Sequence, residues 1–353
     1  MVSIGMVMRA FLFFSLVAFA QQPPPRAIAR AQEGLRLAHE GKYAAAIEAY
    51  HEAAAIDPKL PGIHLNIGLA WFKMGEFKKA IPEFDQQLSR EGANPQASTL
   101  LAISYFGAAN WTEAARRLKV VSNLYPDNKE LPYMLAQAYL NSGQYDEAAA
   151  SFKHLLELDP ESVQVHMLLG RALDGTYRTE DAITEFEAAV KAGPQEPNVH
   201  FGLGFLYWKV KRDDDAAREF REELKNDPSS APAMAYLGDI LMRAGKRDEA
   251  LAQLKTAAHL RPDLRVARFN LGVLYAEDPS KSAAAIEEFR AAIKLEPDRA
   301  DAHYRLARVL RAAGRTAESD RELAVVRNLQ TKKQDDLLQR VTGPSTSTGA
   351  VGH

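Results

Sequence analysis

Seven prolines set the frame for this chain. Pro58, Pro126, Pro160, Pro194, Pro228, Pro262 and Pro297 are separated by 68, 34, 34, 34, 34 and 35 residues. A proline inside a helix removes a hydrogen bond and clashes with the preceding turn, so each marks a place where a helix has to end. A chain interrupted at this period is built of equal units, and one such unit cannot bury its apolar faces alone, so the units must stack. Setting the proline at position 32 starts units at Ala27, Pro61, Pro95, Lys129, Val163, Pro197, Ala231, Arg265 and Ala300, the eighth being one residue longer.

Other positions fall into step. Position 8 reads Gly34, Gly68, Ala102, Ala136, Gly170, Gly204, Gly238, Gly272 and Ala307, and position 20 is alanine from Ala46 to Ala285, ending in Ser319. Position 15 is often glycine (Gly41, Gly75, Gly143, Gly245, Gly314), the residue that ends a helix in the left-handed conformation. Each unit is thus expected to be a hairpin of two helices. Small residues at 8 and 20 allow close approach, while position 7 (such as Leu203) and position 24 (Tyr50, Phe84, Phe152, Phe186, Phe220, Phe289) fill the space between.

Val199-His-Phe-Gly-Leu-Gly-Phe-Leu-Tyr207 and Asp146-Glu-Ala-Ala-Ala-Ser-Phe152 carry this pattern in compact form. With it, the chain resembles the tetratricopeptide repeat family from Ala27 to Lys333. The resemblance implies an all-α, right-handed superhelical solenoid of about nine antiparallel helix pairs. Departures are local. The second repeat has Gly92 at the proline position and Pro82 inside its second helix, which is expected to lose a backbone bond and bend. The eighth has Pro279 and an extra residue in its turn, and the ninth lacks the terminal proline, its second helix running on through residues 334–342 as a polar cap. Residues 343–353, rich in serine, threonine and glycine, are expected to be a disordered tail.

Residues 1–20 read as an export signal. Arg9 precedes the apolar run from Ala10 to Ala20, which is too short to span a bilayer and ends in Ala18-Phe-Ala20, the small-x-small pattern of a cleavage site. Cleavage after Ala20 would leave a proline-rich linker, 21–26, and an exported, periplasmic or extracellular protein without stable membrane insertion. Basic and acidic residues number 44 and 46, so no basic field points to nucleic acid. The absence of cysteine excludes disulfides, thiol nucleophiles and cysteine metal sites.

Catalytic motifs are not recognisable. His64, His166, His200 and His303 share position 4 but lie at least one repeat apart, which suits an aromatic-like packing role rather than one metal site. Acid pairs such as Glu222-Glu223 and Asp335-Asp336 read as solvated helical charge. No phosphate-binding loop, nucleophile elbow, cofactor site or catalytic residue is assigned. Asn110-Trp111-Thr112 is a glycosylation sequon, meaningful only in a eukaryotic host.

A surface remains. In the family resembled, the first helix of each repeat lines a concave groove through positions 2, 5, 9, 12 and 13, with position 6 at its edge. Here those positions supply Leu65, Leu69, Phe72, Phe106, Tyr133, Phe201, Phe205, Trp208, Tyr236, Phe269 and Tyr304. Either a partner or the adjacent repeat has to cover so apolar a face. Asn270 and Arg305 match two elements of the clamp with which some members grip a terminal carboxylate, but Ala235, Asp239 and Asp301 break the pattern. The expected function is a non-catalytic scaffold that binds a peptide segment or partner protein in the groove. The alternative is an accessory subunit of an envelope enzyme system, for polysaccharide or outer-membrane assembly, whose catalytic part is another polypeptide.

Overall fold

A computed structural model describes residues 24–125 and 127–342. The expected signal, its cleavage point after Ala20 and the tail 343–353 lie outside the described residues, as does Pro126. The chain divides after Ala192 into two compact units.

Among the described residues, unit 1 contains five helix pairs and unit 2 four; those of unit 1 are α1 (Pro25–His39) and α2 (Tyr43–Ile56), α3 (Ile63–Lys73) and α4 (Phe77–Glu91), α5 (Pro95–Gly107) and α6 (Trp111–Leu124), α7 (Glu130–Asn141) and α8 (Tyr145–Leu158), α9 (Val163–Gly175) and α10 (Thr179–Ala192). Those of unit 2 are α11 (Val199–Lys209) and α12 (Asp213–Asn226), α13 (Ala231–Arg243) and α14 (Arg247–Leu260), α15 (Arg265–Ala276) and α16 (Ser282–Leu295), α17 (Ala300–Ala312) and α18 (Thr316–Thr342). Among the described residues there is no strand, and no helix is long and apolar enough to cross a membrane. Within each unit the two helices of a pair pack together, and the second helix packs on the first helix of the next pair.

α1 starts at Pro25, so the linker expected over 21–26 gives up its last two residues to a helix; proline is tolerated in a first turn, where its missing N–H has no partner to lose. α4 runs unbroken through Pro82.

The fit within each pair is set at positions 8 and 24. A methyl group added at Gly34 would lie 2.6 Å from the Tyr50 ring, and at Gly68 2.7 Å from Phe84. The same holds for Gly170 and Phe186 (2.6 Å), Gly204 and Phe220 (2.9 Å), and Gly272 and Phe289 (2.8 Å). The bare backbone of the first helix is therefore the seat of the ring from the second. An added side chain at Gly204 would first meet Phe220 and then Glu219. In the first repeat the seated ring is Tyr50, whose buried hydroxyl has no hydrogen-bond partner among the described residues, and burial pushes that phenol well above its usual range.

The turn inside each pair is equally uniform. The N–H at position 16 donates to the carbonyl at position 11 in eight repeats, as in Lys42 to Leu37 (2.9 Å), Arg178 to Leu173 (3.0 Å) and Arg315 to Leu310 (2.8 Å). This bond closes the helix end only if position 15 is left-handed. Glycine meets that demand at Gly41, Gly75, Gly143, Gly245 and Gly314, but Ala109, Tyr177 and Lys211 adopt the same conformation with φ of 57°, 62° and 64°. The turn imposes a backbone that these side chains resist. In the eighth repeat a short 3-10 helix, Pro279–Lys281, replaces this turn.

Tyr177 is 92% exposed, so its side chain contributes little packing in return for its strain. Tyr177→Gly is expected to stabilise the protein by about 0.5–1 kcal/mol, the left-handed penalty less the extra chain entropy of glycine. Urea melts measure this, and a Tyr177→Gly midpoint at or below that of the parent would contradict it.

Candidate functional site

In unit 2 the first helices carry a connected group of rings. Tyr236 on α13 sits beside Phe201 (6.0 Å between centroids), Phe205 (5.3 Å) and Trp208 (4.9 Å) on α11, and beside Phe220 (5.9 Å) on α12. Phe201 stacks on Phe205 at 6.3 Å and Phe205 on Trp208 at 5.8 Å. Residues 201, 205 and 208 form one stripe along α11, as a spacing of i, i+4, i+7 on a helix places them. Adjacent repeats share the task of covering it, since Tyr236 comes from the next pair. All four rings remain half-buried.

Polar bonds hold this platform. The Trp208 indole Nε1 donates to Asp239 Oδ2 at 2.7 Å, Arg243 donates to the same oxygen at 2.8 Å, and Asn270 Nδ2 reaches Asp239 Oδ1 at 3.3 Å. Arg243 also forks onto Asp213, with bonds of 2.8 and 2.9 Å. One carboxylate thus ties together the first helices of three successive repeats. Burial raises the Tyr236 phenol above its usual range, with the nearby Asp239 charge adding to the shift. Asn270 is buried in this network and so is committed to Asp239. Further along, Phe269 lies edge-on to Phe289 at 5.9 Å with the Arg265 guanidinium 5.1 Å above it, while Tyr304 is 48% exposed.

Unit 1 is different. Leu69 and Phe72 are buried, Phe72 at 3% exposure beneath the edge of Phe77 at 5.3 Å. Neither lines an open surface, contrary to expectation. Phe77, at the start of the second helix, also fills the space beside Gly107, and that contact closes the position. Leu65, Phe106 and Tyr133 are half-buried, Phe106 against Trp111 at 5.3 Å and Tyr133 against Phe152 at 6.4 Å.

The position 4 histidines do more than replace an aromatic. Each Nδ1 bonds a glutamate of its own repeat: His64 to Glu83 (2.8 Å), His166 to Glu185 (2.7 Å), His200 to Glu219 (2.7 Å) and His303 to Glu322 (2.6 Å). His166 and His303 also reach the carbonyl oxygens of Pro160 and Pro297, each at 3.0 Å. Arg268 makes both contacts in the eighth repeat, to Glu288 and to the Pro262 carbonyl. Position 4 is therefore a clip between the two helices of a repeat and, in these three repeats, the proline that precedes it.

Glu223 corrects another expectation. It is buried, and its Oε2 accepts from the backbone N–H of Phe201 at 3.0 Å, while Glu222 beside it is only half-buried and pairs with Lys225. Gln87 does the same for Leu65 N–H at 3.1 Å. Both belong to repeats whose first helix starts late, after the left-handed Gly62 or Asn198, and their side chains satisfy an N–H that the missing turn leaves open. Among the described residues no three histidine or acidic side chains gather as a metal site would require. Asn110 is the N-cap of α6, its side chain accepting from Glu113 N.

The geometry defines a stacked helical-hairpin array whose first helices carry the unusual surface chemistry. Sequence models of the tetratricopeptide repeat match residues 133–197, 175–231, 237–292 and 280–340, and a TPR repeat model matches 34–75. The chain belongs to the tetratricopeptide repeat family. It is 33% identical over 99 residues to sperm-associated antigen 1 of Mus musculus, a match covering 28% of this chain and 11% of that protein. Among solved structures, a tetratricopeptide repeat protein from Parabacteroides merdae is similar at 16% identity and a TM-score of 0.49, covering 71% of this chain and 99% of that one. YrrB, described as a TPR protein with an unusual peptide-binding site, is similar at 20% identity and a TM-score of 0.42, covering 55% and 99%. The repeat fold supports a protein-interaction scaffold.

Because Tyr236 covers the α11 stripe, Phe205→Ala with Trp208→Ala is expected to lower stability by about 3 kcal/mol or more, as loss of packed aromatics does. Thermal and urea melts would show it. A double variant that melts like the parent would mean the rings are held by nothing in the array.

Proposed function

We propose that this protein is a non-catalytic scaffold that holds a peptide segment of a partner protein against the first-helix face of unit 2. One observation carries the proposal: Phe201, Phe205, Trp208 and Tyr236 form a platform of mutually packed rings, with Trp208 fixed by Asp239, that stay half-exposed. Rings locked in place before binding lose little entropy on contact, and aromatic side chains are the usual anchors of protein interfaces. The absence of catalysis is supported by where the candidate groups are spent. The position 4 histidines are engaged by glutamates within their own repeats, which is structural work.

Hydroxyl-radical footprinting of the full chain, with and without a peptide obtained by display selection, tests the placement. Protection of Trp208, Tyr236 and Tyr304 is expected. Protection confined to second helices or turns would refute it.

Export is part of the same proposal, supported by the apolar run that ends at Ala18-Phe-Ala20. Protein recovered from periplasm or medium is expected to have an intact mass starting at Gln21. A cytoplasmic protein retaining residues 1–20 would overturn both cleavage and location.

A further inference from the structure

A cavity of about 520 Å³ lies between α15, α16 and α17, beside the irregular turn of the eighth repeat. Val273, Phe289 and Val309 make its apolar floor, and Arg305 and Arg308 reach into it from α17. The size is that of a site for a few side chains rather than for a whole helix. Pro279 and Ser282, residues of the 3-10 turn and the helix start that follows it, also line it, so the irregular turn of this repeat borders the pocket.

Its charges are unbalanced. Arg305 and Arg308 are exposed and make no hydrogen bond or ion pair among the described residues, whereas Arg311 on the same helix is paired with Asp320 at 2.6 Å. The acid that lines the pocket, Glu277, is engaged from outside by Arg247 at 2.8 Å. Two guanidinium groups one helical turn apart are thus left facing an apolar floor. A carboxylate is a planar acceptor that arginine binds through two parallel bonds, and the floor wants an aliphatic or aromatic neighbour beside it. A polyanion such as nucleic acid fits poorly, since the protein carries 46 acidic against 44 basic residues and Glu277 lines the same cavity.

We propose that this pocket binds an acidic peptide segment, in which an aspartate or glutamate side chain meets Arg305 and Arg308 while an adjacent apolar side chain enters the cavity. The proposal rests on the peptide-binding function above and names the class of peptide. It does not need a free C-terminus, since the neighbouring Asn270 is already bound to Asp239.

The test is selection of random peptides displayed without a free C-terminus, run in parallel on the full-length protein and on Arg305→Glu/Arg308→Glu. Peptides selected by the parent are expected to be enriched in acidic residues next to Leu, Ile, Val or Phe. A synthetic copy should bind the charge-reversed variant at least tenfold more weakly in fluorescence anisotropy. Arg305→Gln/Arg308→Gln keeps most of the stems and should weaken binding in the same direction, which covers the case of a charge-reversed protein that does not fold. Peptides without acidic bias, or acidic peptides that bind all forms equally, would overturn this proposal and leave the scaffold function standing. Failure of the parent to select any peptide would overturn both.

Discussion

The structure depends on one contact repeated along the chain, in which a ring from the second helix rests on bare backbone of the first. Glycine at position 8 leaves room that would otherwise hold a Cβ within 2.6 to 2.9 Å of the ring at position 24. Filling that space would force the helices apart or the ring off its rotamer, at about 1–3 kcal/mol for each repeat. Because each repeat contacts only its neighbours, an error in one pair would pass to the interface with the next. Alanine serves at Ala102, Ala136 and Ala307, and in the seventh repeat Gly238 faces Leu254, 2.7 Å from an added Cβ, rather than a ring. The regular helices, turns and inter-repeat faces all follow from pairs held at this separation.

Much of this architecture was legible in the residues. Proline spacing located the helix ends, and the small residues at positions 8 and 15 located the close approach and the turn. The turn was less fully legible, because Ala109, Tyr177 and Lys211 give no local sign of a left-handed backbone; the bond from position 16 to position 11 imposes it. Glu223 looked like surface charge because it stands among charged neighbours on α12. Its burial follows from the shortened start of α11, a feature set by Asn198 and invisible without the paired helix. The histidine to glutamate clips lie 19 or so residues apart in sequence and connect only once both helices of a repeat are in register.

The candidate site shows the same limit. Helical spacing brought Phe201, Phe205 and Trp208 onto one stripe, but could not say whether another repeat covered it. Tyr236 and Asp239 answer that from the following pair. In unit 1 the equivalent expectation for Leu69 and Phe72 fails because both are buried, Phe72 against Phe77. Unit 2 carries four mutually packed, half-buried rings, with Trp208 tied to Asp239. Function, on this account, comes from first-helix positions that are not consumed by packing, and their number is small.

A size-swap cycle at Gly204 and Phe220 tests the central contact most directly, using Gly204→Leu, Phe220→Ala and the double variant in urea melts. Each single change should destabilise, by about 1–3 kcal/mol for the added side chain and about 3–5 kcal/mol for the lost ring. In the double variant the new leucine occupies the space the ring vacates, so the combined loss should fall short of the sum by at least about 1 kcal/mol. Strict additivity would contradict the account, since it would mean that the glycine and the ring do not share one space.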